Sequence, residues 1–162
     1  MRYPALIDFD GDRIVAEFPD CPGCEAAVAP EHDIVAAASA ALHRWLESCL
    51  AGGTIPPKPS AAVVSRDWFE WVPIEPDLTL KLLLRWATAK RISRHELASR
   101  AGISDEELAA LEDQSAPPSA AALDGVARAL GVAGGGVSAQ HPERDEPGPA
   151  VKSKASPRRR RA

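Results

Sequence analysis

The chain has 162 residues, of which 45% are hydrophobic and 26% charged, and a net charge of −4. That balance is typical of a globular rather than a disordered chain, and no apolar run approaches the roughly 20 residues that span a bilayer. Asp8, Asp10 and Asp12 fall where a secretory leader needs an apolar stretch, so a cytoplasmic location is expected.

Arg2–Asp8 carries the β-prone Tyr3, Leu6 and Ile7 ahead of the polar turn Asp10-Gly11-Asp12. Arg13–Phe18 then alternates, with Ile14, Ala16 and Phe18 on one face. An Asp-Gly pair between two such runs predicts a β-hairpin. Pro19–Gly23 turns the chain into a third strand within Cys24–Ala29. The segment Cys21-Pro22-Gly23-Cys24 invites a zinc or redox reading, but a structural zinc needs about four ligands and no second Cys or His pair matches in spacing. Pro-Gly is better read as a tight turn, and neither metal nor cofactor is expected.

From about His32 the period changes to that of a helix. Ile34, Ala38, Ala41, Leu42, Trp45, Leu46 and Cys49 form one apolar stripe that ends near Leu50–Ala51, with Gly52-Gly53 able to supply a left-handed cap. Pro56, Pro57 and Pro59 then force an extended course. A fourth strand is predicted somewhere in Ala61–Ile74, where Trp68, Phe69 and Trp71 read as strand core, or as a protein interface in which such rings are over-represented. Because much of the apolar content is alanine, two thin cores are expected rather than one.

Beyond residue 77 the pattern is wholly helical. Leu78–Lys90 is a first helix. Ser93-Arg94-His95-Glu96 reads as a capping box, in which the hydroxyl serves a free amide while the glutamate reaches back, and Ser104-Asp105-Glu106-Glu107 repeats it. Gly102 between them suits a tight turn, and a last helix runs from about Ser119 to Leu130, closed by Gly131. The remainder lacks periodicity and is expected to be a disordered basic tail.

Residues 1–60 resemble the HicB antitoxins. The resemblance is carried by Met1-Arg2-Tyr3-Pro4, by Asp-Gly-Asp-Arg-Ile-Val-Ala-Glu-Phe-Pro-Asp at 10–20, by Pro22-Gly23-Cys24, by Trp45-Leu46, and by Ile55-Pro56-Pro57-Lys58-Pro59-Ser60. Residues 82–132 resemble the Xre/Cro phage-repressor type of helix-turn-helix, through Ile92-Ser93, Glu96-Leu97-Ala98, Gly102-Ile103-Ser104, Leu108, Leu111-Glu112, Pro118-Ser119, Leu123 and Ala129-Leu130-Gly131-Val132. What these resemblances imply is an α+β chain. A partial RNase H-like ββαβ domain at 1–76 would precede an all-α helix-turn-helix domain at 77–132 and a tail at 133–162. They also imply a HicA-like mRNA-degrading toxin as partner, operator DNA bound as a homodimer or higher homo-oligomer, autoregulation, and no catalysis by the chain itself. The alternative is a stand-alone helix-turn-helix regulator whose first domain dimerises or senses a ligand.

The charges are unevenly spread. Residues 1–60 carry four basic and nine acidic groups, whereas 133–162 carry seven basic and three acidic ones. An acidic body suits an electropositive, RNA-binding toxin. Asp8, Asp10 and Asp12 straddle a turn, where Asp is favoured for local hydrogen bonding, rather than forming a two-metal nuclease set. By resemblance the DNA contacts fall on Arg91, Ser93, Arg94 and Arg100, and on the start of the second motif helix at Ser104, Asp105, Glu106 and Glu107. That helix is acidic, with no basic residue between Ser104 and Asp113, and Gln114 stands where the family usually has glycine. Two readings stay open. The motif binds DNA with help from phosphate contacts by Lys152, Lys154, Arg158, Arg159, Arg160 and Arg161, or it has become a dimerisation module.

Overall fold

The computed structural model describes residues 1–60, 68–115 and 117–132. The expected tail, with its lysines and arginines, lies outside the described residues. The order of elements is β1 (Arg2–Asp10), β2 (Arg13–Glu17), β3 (Glu25–Val28), α1 (Ile34–Ala51), β4 (Phe69–Pro73), α2 (Pro76–Ala89), α3 (Arg94–Ala101), α4 (Asp105–Glu112) and α5 (Ala120–Ala129). The architecture is mixed α and β, with one antiparallel sheet ordered β3-β2-β1-β4.

The hairpin predicted at Asp10-Gly11-Asp12 is present, with Gly11 at φ 64° and Asp10 opposite Arg13. Three strands precede α1, so the unit runs βββαβ instead of ββαβ. The cause is the turn after Phe18. Cys21 N donates to the Phe18 carbonyl and Cys24 N to the Cys21 carbonyl, both at 2.9 Å, and Gly23 takes φ 79°. This returns the chain along β2, where Ala26 pairs with Ala16.

Helix α1 starts at Ile34, slightly later than expected, because the Asp33 carboxylate caps it by accepting from Val35 N and Ala36 N. Ala38, Leu42 and Leu46 recur every fourth position on one side and are buried. They join the sheet face bearing Tyr3, Ala5, Ala16 and Val72, and burying a leucine of this kind contributes about 1.5–3 kcal/mol. Of the two glycines that end α1, Gly53 is left-handed at φ 73°, while Gly52 stays right-handed.

Helix α2 starts at Pro76 rather than Leu78, since proline fits the first turn, where its missing N–H costs nothing. Ser93 caps α3 by accepting from Glu96 N, and Ser104 caps α4 by accepting from Glu107 N. The reciprocal half of the first capping box is absent, because the Glu96 carboxylate accepts from Arg100 one turn on instead of reaching back. Gly102, left-handed at φ 74°, joins the two helices.

The described buried residues form one cluster from Met1 to Leu130, where two thin cores were expected. The join is the extended strap after α1. Trp86 Nε1 donates to the Pro56 carbonyl at 2.7 Å, and Tyr3 Oη to that of Pro57 at 2.8 Å. Arg85 donates to the Gly53 carbonyl, and Ser60 N to the Asp20 carboxylate. The three prolines keep the strap extended, so its carbonyls are free to accept from the helices on one side and the sheet on the other.

Candidate functional site

The residues expected to meet DNA lie on α3, on α4 and beside them, and all eight are exposed. Several of them are engaged by neighbouring residues of the two helices. Arg94 donates to the Glu112 carboxylate, and Arg100 to Glu96. His95 Nδ1 lies 2.9 Å from an Asp105 carboxylate oxygen, and that hydrogen bond and charge hold the imidazole pKa above its usual value. Ser93 and Ser104 spend their hydroxyls on the caps. Arg91 adopts φ 56°, a left-handed backbone at the α2–α3 corner, and stands exposed. Glu106 and Glu107 face solvent in the first turn of α4, where carboxylates also favour the helix dipole. The two helices therefore present a charge-paired surface, with acidic groups in excess at the start of α4.

The hairpin of the N-terminal unit carries three carboxylates. Asp8, Asp10 and Asp12 are exposed around the hairpin, and the Asp8 carboxylate accepts from the adjacent Phe9 N within β1. Among the described residues no group of three His, Cys, Asp or Glu side chains is placed to hold a metal ion. Cys21 and Cys24 are buried in the turn, and burial pushes both thiols up, that of Cys24 to about 11, which leaves them protonated and poorly nucleophilic.

The aromatic cluster divides between the two faces of the sheet. Val72 pairs with Tyr3 on the core face, whereas Phe69 and Trp71 pair with Leu6 and Pro4 on the opposite face. There the two rings meet edge to face at 5.8 Å, half-buried. Trp68 is not core: 60% of it is exposed. It lies beyond the end of β4, where Ile7 N donates to its carbonyl, and its ring rests 5.3 Å from that of Phe9, which is itself 54% exposed.

Phe9 and Trp68, with Ile7, Ile14, Ile34 and Val35, line an open cleft of about 440 Å³ between the hairpin and the first turn of α1. Sequence reasoning missed Phe9. The signal was there, since Phe9 continues the alternation of Tyr3, Ala5 and Ile7 into a stretch where the neighbouring helix has only begun. Lys58 was marked only as part of the run Ile55–Ser60. Its contact was missed, because its partner Leu130 is distant in sequence.

Among the described residues no helix is long and apolar enough to cross a membrane. No family model matches the chain, and no curated protein matches it. Among solved structures, a chain described as "HicA3 and HicB3 toxin-antitoxin complex" is similar at 26% identity with a TM-score of 0.42, and the match covers 47% of this chain and 100% of that one.

Proposed function

We propose that the chain is a HicB-type antitoxin. Its sheet-and-α1 unit, residues 1–76, would cover a basic HicA-like mRNA-degrading toxin without chemistry of its own. Its helical unit, residues 77–132, would hold operator DNA as a homodimer and repress the shared operon. In this reading the βββαβ unit is a partial RNase H-like arrangement, and α3–Gly102–α4 is the helix-turn-helix.

The observation that carries the reading is the ordered run of motifs, each sitting where its chemistry has a structural use. Asp10-Gly11-Asp12 makes the β1–β2 turn, Cys21–Cys24 makes the turn into β3, and Pro56-Pro57-Lys58 forms the strap that accepts from Trp86 and Tyr3 and donates to Leu130. The excess of carboxylates in residues 1–60 supports a basic partner, by raising the association rate and penalising acidic competitors.

Operator binding draws on exposed charges. Arg94 and Arg100 are engaged in surface ion pairs, worth about 0–1 kcal/mol each, so turning them toward phosphates costs little. Arg91 and the lysines and arginines from Lys152 to Arg161 add cationic groups, while the carboxylates leading α4 accept from cytosine N4 at best. With about four to six of these bases on phosphates, the slope of log K against log salt is roughly −4 to −5.

The test is co-expression with the product of the adjacent reading frame. The reading expects a small basic ribonuclease whose toxicity is relieved by this chain and which co-purifies with it. A neighbour that is neither toxic nor bound, with operator binding intact, instead supports the stand-alone regulator.

A further inference from the structure

We infer that the cleft between the β1–β2 hairpin and the first turn of α1 seats a large apolar side chain presented on a basic protein surface. The inference rests on the antitoxin reading for the identity of its partner, and it deepens that reading by naming the place of contact.

Phe9 and Trp68 are two of the large hydrophobic side chains that stay exposed among the described residues, and they stand together, rings 5.3 Å apart, as one wall of the cleft. Ile34 and Val35 from α1 and Ile7 and Ile14 from the sheet complete an apolar lining. Contiguous apolar surface rimmed by polar groups marks interaction sites on otherwise solvated proteins, and interface energy concentrates where one anchor fills such a pocket.

The rim selects the occupant. Asp33 immediately precedes Ile34 and Glu70 lines the cleft itself, in a unit whose residues 1–60 carry nine acidic groups against four basic ones. A second copy docking through the same patch would bring these carboxylates onto their own counterparts across a two-fold axis, a like-charge juxtaposition. The chain's own basic segment, residues 133–162, has the right sign but contains no Leu, Ile, Met, Phe, Tyr or Trp to fill the pocket. A separate basic protein with an aliphatic or aromatic anchor meets both requirements.

The experiment titrates a synthetic peptide of leucines flanked by lysines into the full chain and follows the Trp68 indole N–H resonance, assigned by its loss in Trp68→Ser. The expected result is a saturable shift at Trp68, weakened by about tenfold or more when the leucines become serine, when the lysines become glutamate, or in Phe9→Ser. No shift at Trp68, or equal binding of the serine peptide, overturns the inference. The wild-type titration decides even if a variant fails to fold. Failure of the antitoxin reading looks different. A peptide that binds at Trp68 while the chain rescues no toxic neighbour removes the antitoxin role alone, whereas rescue that survives Phe9→Ser and Trp68→Ser removes the cleft alone.

Discussion

The Lys58 ammonium donates to the carbonyl oxygen of Leu130 across 2.6 Å, tying the strap after α1 to the C-terminal end of α5. Lys90 reaches the same oxygen at 3.1 Å, and Lys58 also lies 5.7 Å from the centre of the Trp86 ring. Two cations on one helix-terminal carbonyl complement the negative end of the helix dipole. Burial, and then the neighbouring Lys90 charge, lower the Lys58 pKa, so the contact holds at some electrostatic cost.

Lys58→Met keeps much of the stem's packing and removes the charged hydrogen bond. Equilibrium urea unfolding is expected to show a loss of about 2 kcal/mol. Lys90→Met, whose parent side chain is exposed, loses less. Equal stability of Lys58→Met and the wild type would mean that the strap is held by its other contacts.

At Gly125, α5 packs tightly against the end of α3. A Cβ placed there would sit 2.4 Å from the Ala101 carbonyl oxygen, which is backbone and has little room to give. Although alanine favours helix by its propensity, Gly125→Ala is expected to destabilise by about 1–3 kcal/mol, because the two helices must separate. A thermal melt compared with the wild type reads this directly.

Gln114 holds φ 54° just after α4, a left-handed conformation that costs a residue with a Cβ roughly 1 kcal/mol. Gln114→Gly is therefore expected to raise stability slightly, by up to about 0.5 kcal/mol once the larger backbone entropy of glycine in the unfolded chain is set against the relieved strain. A lower unfolding midpoint would show that the Gln114 side chain contributes a contact that outweighs the strain.

Much of this fold was legible because its signals are local. Asp10-Gly11-Asp12, the Ala38–Leu42–Leu46 stripe, and the serines at 93 and 104 each act within a few residues of themselves. What stayed hidden depends on distant partners. Glu96 turned to Arg100 rather than back to Ser93, a choice between two nearby donors that the capping pattern does not decide. Trp68 read as core because strand-forming residues look alike from either face, and only the register against Ile7 puts it at an open end. The ion pairs Arg94–Glu112 and His95–Asp105 join two helices, and nothing in either segment alone announces them. The same pairing explains how Arg94 and Asp105, expected to meet DNA, come to meet Glu112 and His95 instead.

His95 provides a pH readout of that pairing. Its pKa is raised above 6.5 by the Asp105 hydrogen bond and charge. The interaction's contribution is thus fully present below 6.5 and is lost as pH rises through the folded-state value. An NMR titration should give a midpoint above 6.5 for the wild type and a lower one for Asp105→Asn. The stability difference between the two proteins should shrink as pH rises through the wild-type midpoint. Identical midpoints would mean that the two side chains are apart in solution.

The central claim is that the sheet-and-helix unit silences a ribonuclease by covering it. The most direct measurement titrates the purified chain into an RNA-cleavage assay of whatever protein the adjacent reading frame encodes. The account predicts that cleavage falls in proportion to added chain and stops once the two are equimolar, with no cleavage by the chain alone. Undiminished cleavage at excess chain, or RNA degradation by the chain itself, would contradict it.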